Sequence, residues 1–235
     1  MAEPVIASLI DTASAPYRAA GRFAWHFARG KLRADPVFAA LLAQGLLAGR
    51  ARVLDLGCGQ GLLVAWLLAA RAIDAAGAWP GSWPPAPQPQ ALLGIEINPR
   101  EVERAHRVLG ARAQIELGDI RHVDYATSDA IVMLDVLHYT DYAAQEAALA
   151  RARAALAPGG VLLLRVGDAD GGTRFALGKA IDRIVARARR GRPSLWCRPL
   201  REWLSLLEHL GFRARAVPMS AGTPFANFLL IGEVP

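Results

Sequence analysis

The chain has 235 residues, a little over half of them (53%) hydrophobic, which is enough to bury a sizeable core and excludes a disordered polypeptide. Its two cysteines, Cys58 and Cys197, are too few and too far apart for a disulfide framework or a clustered zinc site, so a reducing cytoplasm and no metal are expected. The net charge of +6 is unevenly spread: from Arg174 to Arg201 nine basic residues stand against one acid, Asp182, a local +8 that points to an anionic partner for that segment.

The first residues carry Glu3 and Asp11 where a secretory signal would be basic, and the longest uncharged apolar stretch, around Leu62 to Ala70, is far short of a membrane span. A soluble, unexported chain is expected. Residues 1 to about 50 read as a helical cap. Tyr17 to Arg33 interleaves Phe23, Trp25 and Phe27 with basic residues as one aromatic-basic helix, and Asp35-Pro36 starts another with an N-cap and a first-turn proline. From 51 to 235 short apolar runs alternate with helical patterns. Strands are expected at Arg52 to Leu56, Leu92 to Ile97, Ala113 to Leu117, Ala130 to Asp135 and Val161 to Val166, and helices at Leu62 to Ala75, Arg100 to Leu109 and Tyr142 to Leu156. A helix from Leu200 to Leu210 and strands at Arg213 to Pro218 and Asn227 to Val234 follow the basic segment. This order is that of an α/β chain with a parallel sheet covered on both faces. Residues 78 to 90, AWPGSWPPAPQPQ, hold five prolines that forbid helix and central strand alike, and read as an inserted loop whose Trp79 and Trp83 clasp it to the body.

The string VLDLGCGQGLL, residues 53 to 63, runs a buried strand into Gly57, Gly59 and Gly61 and then a helix. Glycines let the turn bend tightly and a ligand lie against the backbone, while the helix start offers free N–H groups. The spacing is not the dinucleotide G-x-G-x-x-G, because the sixth position from Gly57 is Leu62, and the P-loop lysine is missing. Asp55 in front of the glycines would repel a pyrophosphate but suits a ligand with a cationic end. Glu96 stands where a strand should end before Asn98-Pro99, and a carboxylate there can accept from two vicinal hydroxyls. It lies 41 residues after Asp55, against roughly 20 in a tight βαβ unit, and the proline-rich insert accounts for much of the excess.

These motifs resemble those of the class I S-adenosylmethionine-dependent methyltransferases over residues 51 to 168. DLGCGQG (55 to 61) is similar to the family's first motif, GIEINP (94 to 99) to its ribose-holding strand end, and GDI (118 to 120) to its adenine-holding loop. DAIVMLDVLHYTD (129 to 141) and LAPGGVLLLRV (156 to 166) are similar to its fourth and fifth strands. The resemblance implies a Rossmann-like, doubly wound, seven-stranded and mostly parallel sheet with an antiparallel last strand. It implies S-adenosylmethionine as cofactor, S-adenosylhomocysteine as product and no metal. Asp55, Gly57, Cys58, Gly59, Gly61, Glu96 with Ile97, Asp119 with Ile120, and Asp135 would then bind the cofactor. Cys58 reads as a small filler rather than a nucleophile.

A sulfonium methyl is a ready electrophile, so the protein's task is to align the acceptor, exclude water and, in some enzymes, supply a base. Asp135, His138 and Tyr139, with Tyr142, follow the fourth strand as catalytic candidates. His138 suits a base because its unperturbed pKa is about 6.5, although a capping or packing histidine reads nearly as well. Asp168 and Asp170 either line the acceptor pocket or turn the chain.

The sequence Asp135-Val136-Leu137-His138 lacks the Asn/Asp-Pro-Pro-aromatic motif of many nucleic-acid amino-methyltransferases, which disfavours nucleic acid. An aromatic-basic helix and a basic segment suit a small, largely apolar or aromatic acceptor, free or bound to an acidic carrier protein, or met at an anionic membrane surface through Arg174 to Arg201. FAWHFARGKLRADPVF and PMSAGTPFANFLL resemble strings of bacterial methyltransferases of aryl-polyene-type, fatty-acid-like pathways, which would make the acceptor a phenolic or ring-carbon nucleophile. An RNA methyltransferase and a non-catalytic binding partner remain as alternatives.

Overall fold

A computed structural model of the chain describes residues 3–170, 172, 195–223 and 225–235. Of the nine basic residues between Arg174 and Arg201, only Arg198 and Arg201 are among them, so the expected anionic-surface segment lies largely outside the described residues. Seven described strands form one mostly parallel, Rossmann-like sheet in the order β3-β2-β1-β4-β5-β7-β6. The chain gathers into two compact units, Met1–Val123 and Asp124–Pro235.

In the first unit, α1 (Glu3–Ser14), a 3-10 segment (Ala15–Ala20), α2 (Arg22–Ala34) and α3 (Pro36–Ala43) precede β1 (Arg52–Leu56), α4 (Leu62–Ala75), β2 (Ala91–Glu96), α5 (Pro99–Leu109) and β3 (Gln114–Leu117). The helix expected from Tyr17 is broken: Gly21 takes φ 101°, a conformation only glycine adopts freely, and α2 starts after it. Asp35 caps α3 as expected, accepting from the Val37 N–H at 3.1 Å. α4 is apolar nearly all round, with Leu62 through Leu67, Ala69, Ala70 and Ile73 buried, because it packs against α1 as well as lying in a parallel βαβ unit. Its Trp66 is fully buried and donates Nε1–H to the Phe38 carbonyl at 2.8 Å, tying α3 to it. Leu67 is 0% exposed, so Leu67→Ala would cost about 2–5 kcal/mol. β1 pairs parallel with β2, Asp55 opposite Gly94, and β2 pairs parallel with β3, Glu96 opposite Leu117.

Trp79 and Trp83, both half-buried, pack edge to face, 5.5 Å between centroids, and Trp79 donates to the Pro84 carbonyl, so they brace the loop. The loop meets the body at Pro84: a Cβ on Gly45 would come within 2.7 Å of it.

The second unit carries β4 (Ser128–Leu134), α6 (Tyr142–Ala155), β5 (Leu156–Gly167), α7 (Leu200–His209), β6 (Arg213–Pro218) and β7 (Asn227–Glu233). β4 and β5 are parallel and nearly wholly buried at their centres, and β7 is antiparallel to both its neighbours, β5 and β6. β5 begins five residues before the apolar run at Val161. Leu156 pairs with Ser128, and the register then shifts so that Val161 faces Ala130, leaving Pro158, Gly159 and Gly160 in an irregular stretch that periodicity could not reveal. α7 buries Trp203 and Leu207 and stops at Gly211, φ 81°.

Candidate cofactor site

In the first unit, β1 ends in the glycine turn, and Gly57, Gly59 and Gly61 all have positive φ, 76°, 56° and 78°. At Gly61 a side chain is excluded twice over, since a Cβ there would also lie 2.6 Å from Leu109 Cδ1. The turn is strapped to β2 by the Gly57 and Cys58 N–H groups, which both donate to the Ile95 carbonyl at 2.8 and 3.1 Å. Gly94 makes room for this strap: a Cβ on it would lie 2.8 Å from Cys58 Sγ and 2.7 Å from Ile115 Cδ1.

Glu96 closes on the same turn. Its Oε2 accepts from the Gly59 N–H at 3.0 Å and its Oε1 from the Asn98 N–H at 2.8 Å. Asn98 in turn caps α5, accepting from the Arg100 N–H at 3.0 Å, with Pro99 in the first turn. Two backbone donors orient the carboxylate and leave lone pairs for further donors. Glu96 and the glycine turn, 37 residues apart, are thus brought together; Ile97 beside Glu96 is exposed.

Asp55 is buried, and its Oδ2 has no hydrogen-bond partner. Burial, with the Glu96 carboxylate adding repulsion, pushes its pKa up to about 7. Burial and then Asp55 and Glu96 drive the Cys58 thiol well above its usual value, so it stays a neutral filler. Gln60, in the turn itself, is buried with its Oε1 also unpartnered.

Asp119 follows Gly118 in the loop after β3, with Ile120 buried behind it. Its carboxylate is taken by Arg121, whose Nε and Nη2 donate to it at 3.0 and 2.6 Å and whose backbone N–H donates at 2.9 Å. These bonds hold Asp119 below the usual carboxylate range.

In the second unit, Asp135 leaves β4 with φ 58°, a left-handed conformation uncommon for a residue other than glycine. Its carboxylate is gripped by Arg165 of β5: Nε donates to Oδ1 at 2.8 Å and Nη2 donates to Oδ2, with the guanidinium almost fully buried. His138 and Tyr139 lie in the following 3-10 turn, rings 4.1 Å apart. Tyr142 packs edge to face on Trp196, and its hydroxyl donates to the Cys197 carbonyl at 3.2 Å. Buried Gln145 fans its amide to the Leu137, Thr140 and Trp196 carbonyls, and Arg198 donates to its Oε1 at 3.0 Å, so residues 196–198 are pinned to this turn. Tyr139, Tyr142 and Trp196 each remain 37–41% exposed. Asp168 turns the chain, accepting from the Asp170 and Leu200 N–H groups at 3.1 and 3.0 Å, and Asp170 pairs with Arg201.

Sequence reasoning passed over Gln60, Tyr17, Arg121 and Arg165. Gln60 stood in the quoted motif without a signal of its own, and Tyr17 looked like part of a helix. Arg165 was a lone cation inside the apolar run LLLRV, and a charge in a central strand implies a partner across the sheet.

The family profile described as "Methyltransferase domain" matches residues 24–217. Carboxy-S-adenosyl-L-methionine synthase of Chromohalobacter salexigens is 36% identical over 129 residues, covering 53% of this chain and 43% of its own length, so the chain spans less than half of this relative. Two solved structures share the fold. An O-methyltransferase family protein from Burkholderia thailandensis is 18% identical, with 92% of this chain and 61% of that one covered and a TM-score of 0.64. Magnesium protoporphyrin IX methyltransferase from Synechocystis PCC 6803, with bound S-adenosylhomocysteine, is 19% identical, with 91% and 88% covered and a TM-score of 0.59.

Proposed function

The chain belongs to the methyltransferase-domain family, and we propose that it transfers the methyl group of S-adenosylmethionine, in the cytoplasm, to a small, largely apolar or aromatic acceptor, free or carrier-bound. One observation carries this reading: the buried, unpartnered Oδ2 of Asp55 directly before the glycine turn. A carboxylate buried without a partner is costly, and a cationic ligand group is the chemistry that relieves it. The ammonium of the cofactor's amino-acid end is such a group, and the Gln60 Oε1 is a second acceptor for its N–H bonds.

The residues present fit the rest of that cofactor. Glu96, oriented by the Gly59 and Asn98 N–H groups, keeps lone pairs for the two ribose hydroxyls. Asp119 can accept from the adenine amino group beside its bonds from Arg121. When bound, S-adenosylmethionine supplies an electrophilic methyl on sulfonium. In this reading His138 is the group that removes a proton from the acceptor, and Asp135, gripped by Arg165, shapes the turn that carries His138.

The exposed Tyr139, Tyr142 and Trp196 rings support an apolar or aromatic acceptor. Nucleic acid is disfavoured by Asp135-Val136-Leu137-His138, and an anionic membrane surface would act through Arg174 to Arg201, most of which lies outside the described residues. The test is a methyl-labelled S-adenosylmethionine screen against aromatic and carrier-bound metabolites and total RNA. Label in an apolar or aromatic acceptor is expected; label in RNA alone, or none anywhere, overturns the reading. A modified cofactor as product would redirect it to the chemistry named for the Chromohalobacter relative.

A further inference from the structure

The turn Gly59-Gln60-Gly61 carries two glycines at positive φ around one ordinary residue, a sequence with much backbone freedom to lose. Glu96 holds its Gly59 end. Its centre is held by something no motif predicts. Tyr17, 0% exposed in the 3-10 segment between α1 and α2, donates its hydroxyl to the Gln60 carbonyl at 2.9 Å. The Gln60 side chain, 2% exposed, reaches the other way and donates Nε2–H to the Ala24 carbonyl at 3.4 Å in the first turn of α2. The two bonds bracket Gly21, whose φ of 101° makes the corner between the 3-10 segment and α2. Residues 17 and 24 therefore grip the middle of the turn from both sides of one corner.

We propose that Tyr17 and Gln60 form a latch through which the N-terminal segment presets the glycine turn, making Tyr17 a positioning residue for cofactor affinity. The inference rests on the cofactor reading above. A turn ordered before the ligand arrives does not have to be ordered by it, so the latch lowers the entropic cost of binding. It also makes the N-terminal segment a fixed part of the cofactor cradle, not a freely hinged cover.

Tyr17→Phe keeps the ring and removes the donor. S-adenosylhomocysteine titrated calorimetrically into the full chain should bind about 3- to 30-fold more weakly, the range for one lost hydrogen bond to a buried carbonyl. Hydrogen exchange of the ligand-free protein should speed up at the Gly59 and Gly61 amides by a comparable factor while the β1 and β2 amides keep wild-type protection. Leu9→Ala, a cavity at a fully buried position of α1 whose side chain makes neither bond, is the control: it should lower the melting temperature and leave the affinity unchanged. Affinity within twofold of wild type and unchanged turn exchange in folded Tyr17→Phe would overturn the latch. Gln60→Met removes the bond to Ala24 together with the Oε1 offered to the cofactor, so only its ligand-free exchange reads the latch: faster exchange at the Gly59 and Gly61 amides is expected and decides the matter should Tyr17→Phe not fold, and wild-type exchange there overturns the latch equally. A wild type that does not bind S-adenosylhomocysteine overturns the cofactor reading, and the exchange measurement on ligand-free protein still decides the latch.

Discussion

Asp55→Asn should stabilise the ligand-free protein at alkaline pH while weakening the cofactor, two effects of opposite sign from one atom. With its pKa raised to about 7 by burial and by Glu96, Asp55 binds its proton more tightly folded than unfolded. Its contribution to stability is therefore complete below the ordinary carboxylate value of 3.8 and is lost as pH rises through about 7. Each tenfold gain in proton affinity on folding corresponds to about 1.4 kcal/mol, so ionisation at pH 8 costs the fold up to about 4 kcal/mol. Asn removes that cost and keeps a buried amide without a full set of partners, worth about 1–3 kcal/mol against it, which leaves a net gain of about 1–3 kcal/mol at pH 8 and none near pH 4. The ligand effect runs the other way. A hydrogen bond to a charged group is worth about 1.5–3 kcal/mol, so S-adenosylhomocysteine should bind Asp55→Asn roughly 10- to 150-fold more weakly. In the wild type the ionised carboxylate is the binding form, so affinity should rise from pH 6 to 8 and level off, a dependence Asn abolishes. Urea unfolding at pH 4, 6 and 8, with calorimetric titrations at the last two, reads all of this. A variant less stable than wild type at pH 8 that binds the ligand with wild-type affinity would show that Asp55 is neither strained by burial nor used by the ligand.

Gly61→Ala meets both a φ of 78° and Leu109 Cδ1 at 2.6 Å, and should lose about 2–4 kcal/mol in urea unfolding. Cys58, buried with its thiol pushed up, should resist a thiol reagent such as Ellman's in the native protein at pH 8, while half-buried Cys197 reacts first; rapid labelling of both would contradict that burial. His138→Gln should lower the methyl-transfer rate constant about 10²- to 10⁴-fold with S-adenosylhomocysteine affinity unchanged if the histidine is the base, and a wild-type rate would leave it a packing residue. Arg165→Met strips the partner from Asp135, whose carboxylate is then without its bidentate donor, and should destabilise the chain by about 1–3 kcal/mol in thermal or urea unfolding.

The strand-and-helix order was legible because each βαβ unit writes its own period: α4 lies at Leu62–Ala75 and β6 at Arg213–Pro218, as the residues imply. The cofactor motif was legible for the same reason, since the glycines, Asp55 and Glu96 all sit at strand ends whose position the apolar runs fix. What escaped were pairings between distant residues. Nothing local distinguishes Tyr17 from any aromatic on a helix, and only the fold brings its hydroxyl to Gln60, 43 residues on. The break at Gly21 was hidden because helical periodicity continues on both sides of it, and the early start of β5 because Pro158-Gly159-Gly160 reads as a turn. The two tryptophans of the proline-rich insert offered apolar surface without saying for what, and they pack on each other.

A crystal structure of the chain soaked with S-adenosylhomocysteine would show whether the glycine turn and Glu96 hold the cofactor. Both ribose hydroxyls are expected within hydrogen-bond distance of the Glu96 carboxylate, and the amino-acid ammonium beside Asp55 and the glycine turn. Ligand density elsewhere on the molecule, with Glu96 holding only the Gly59 and Asn98 amides, would contradict this placement.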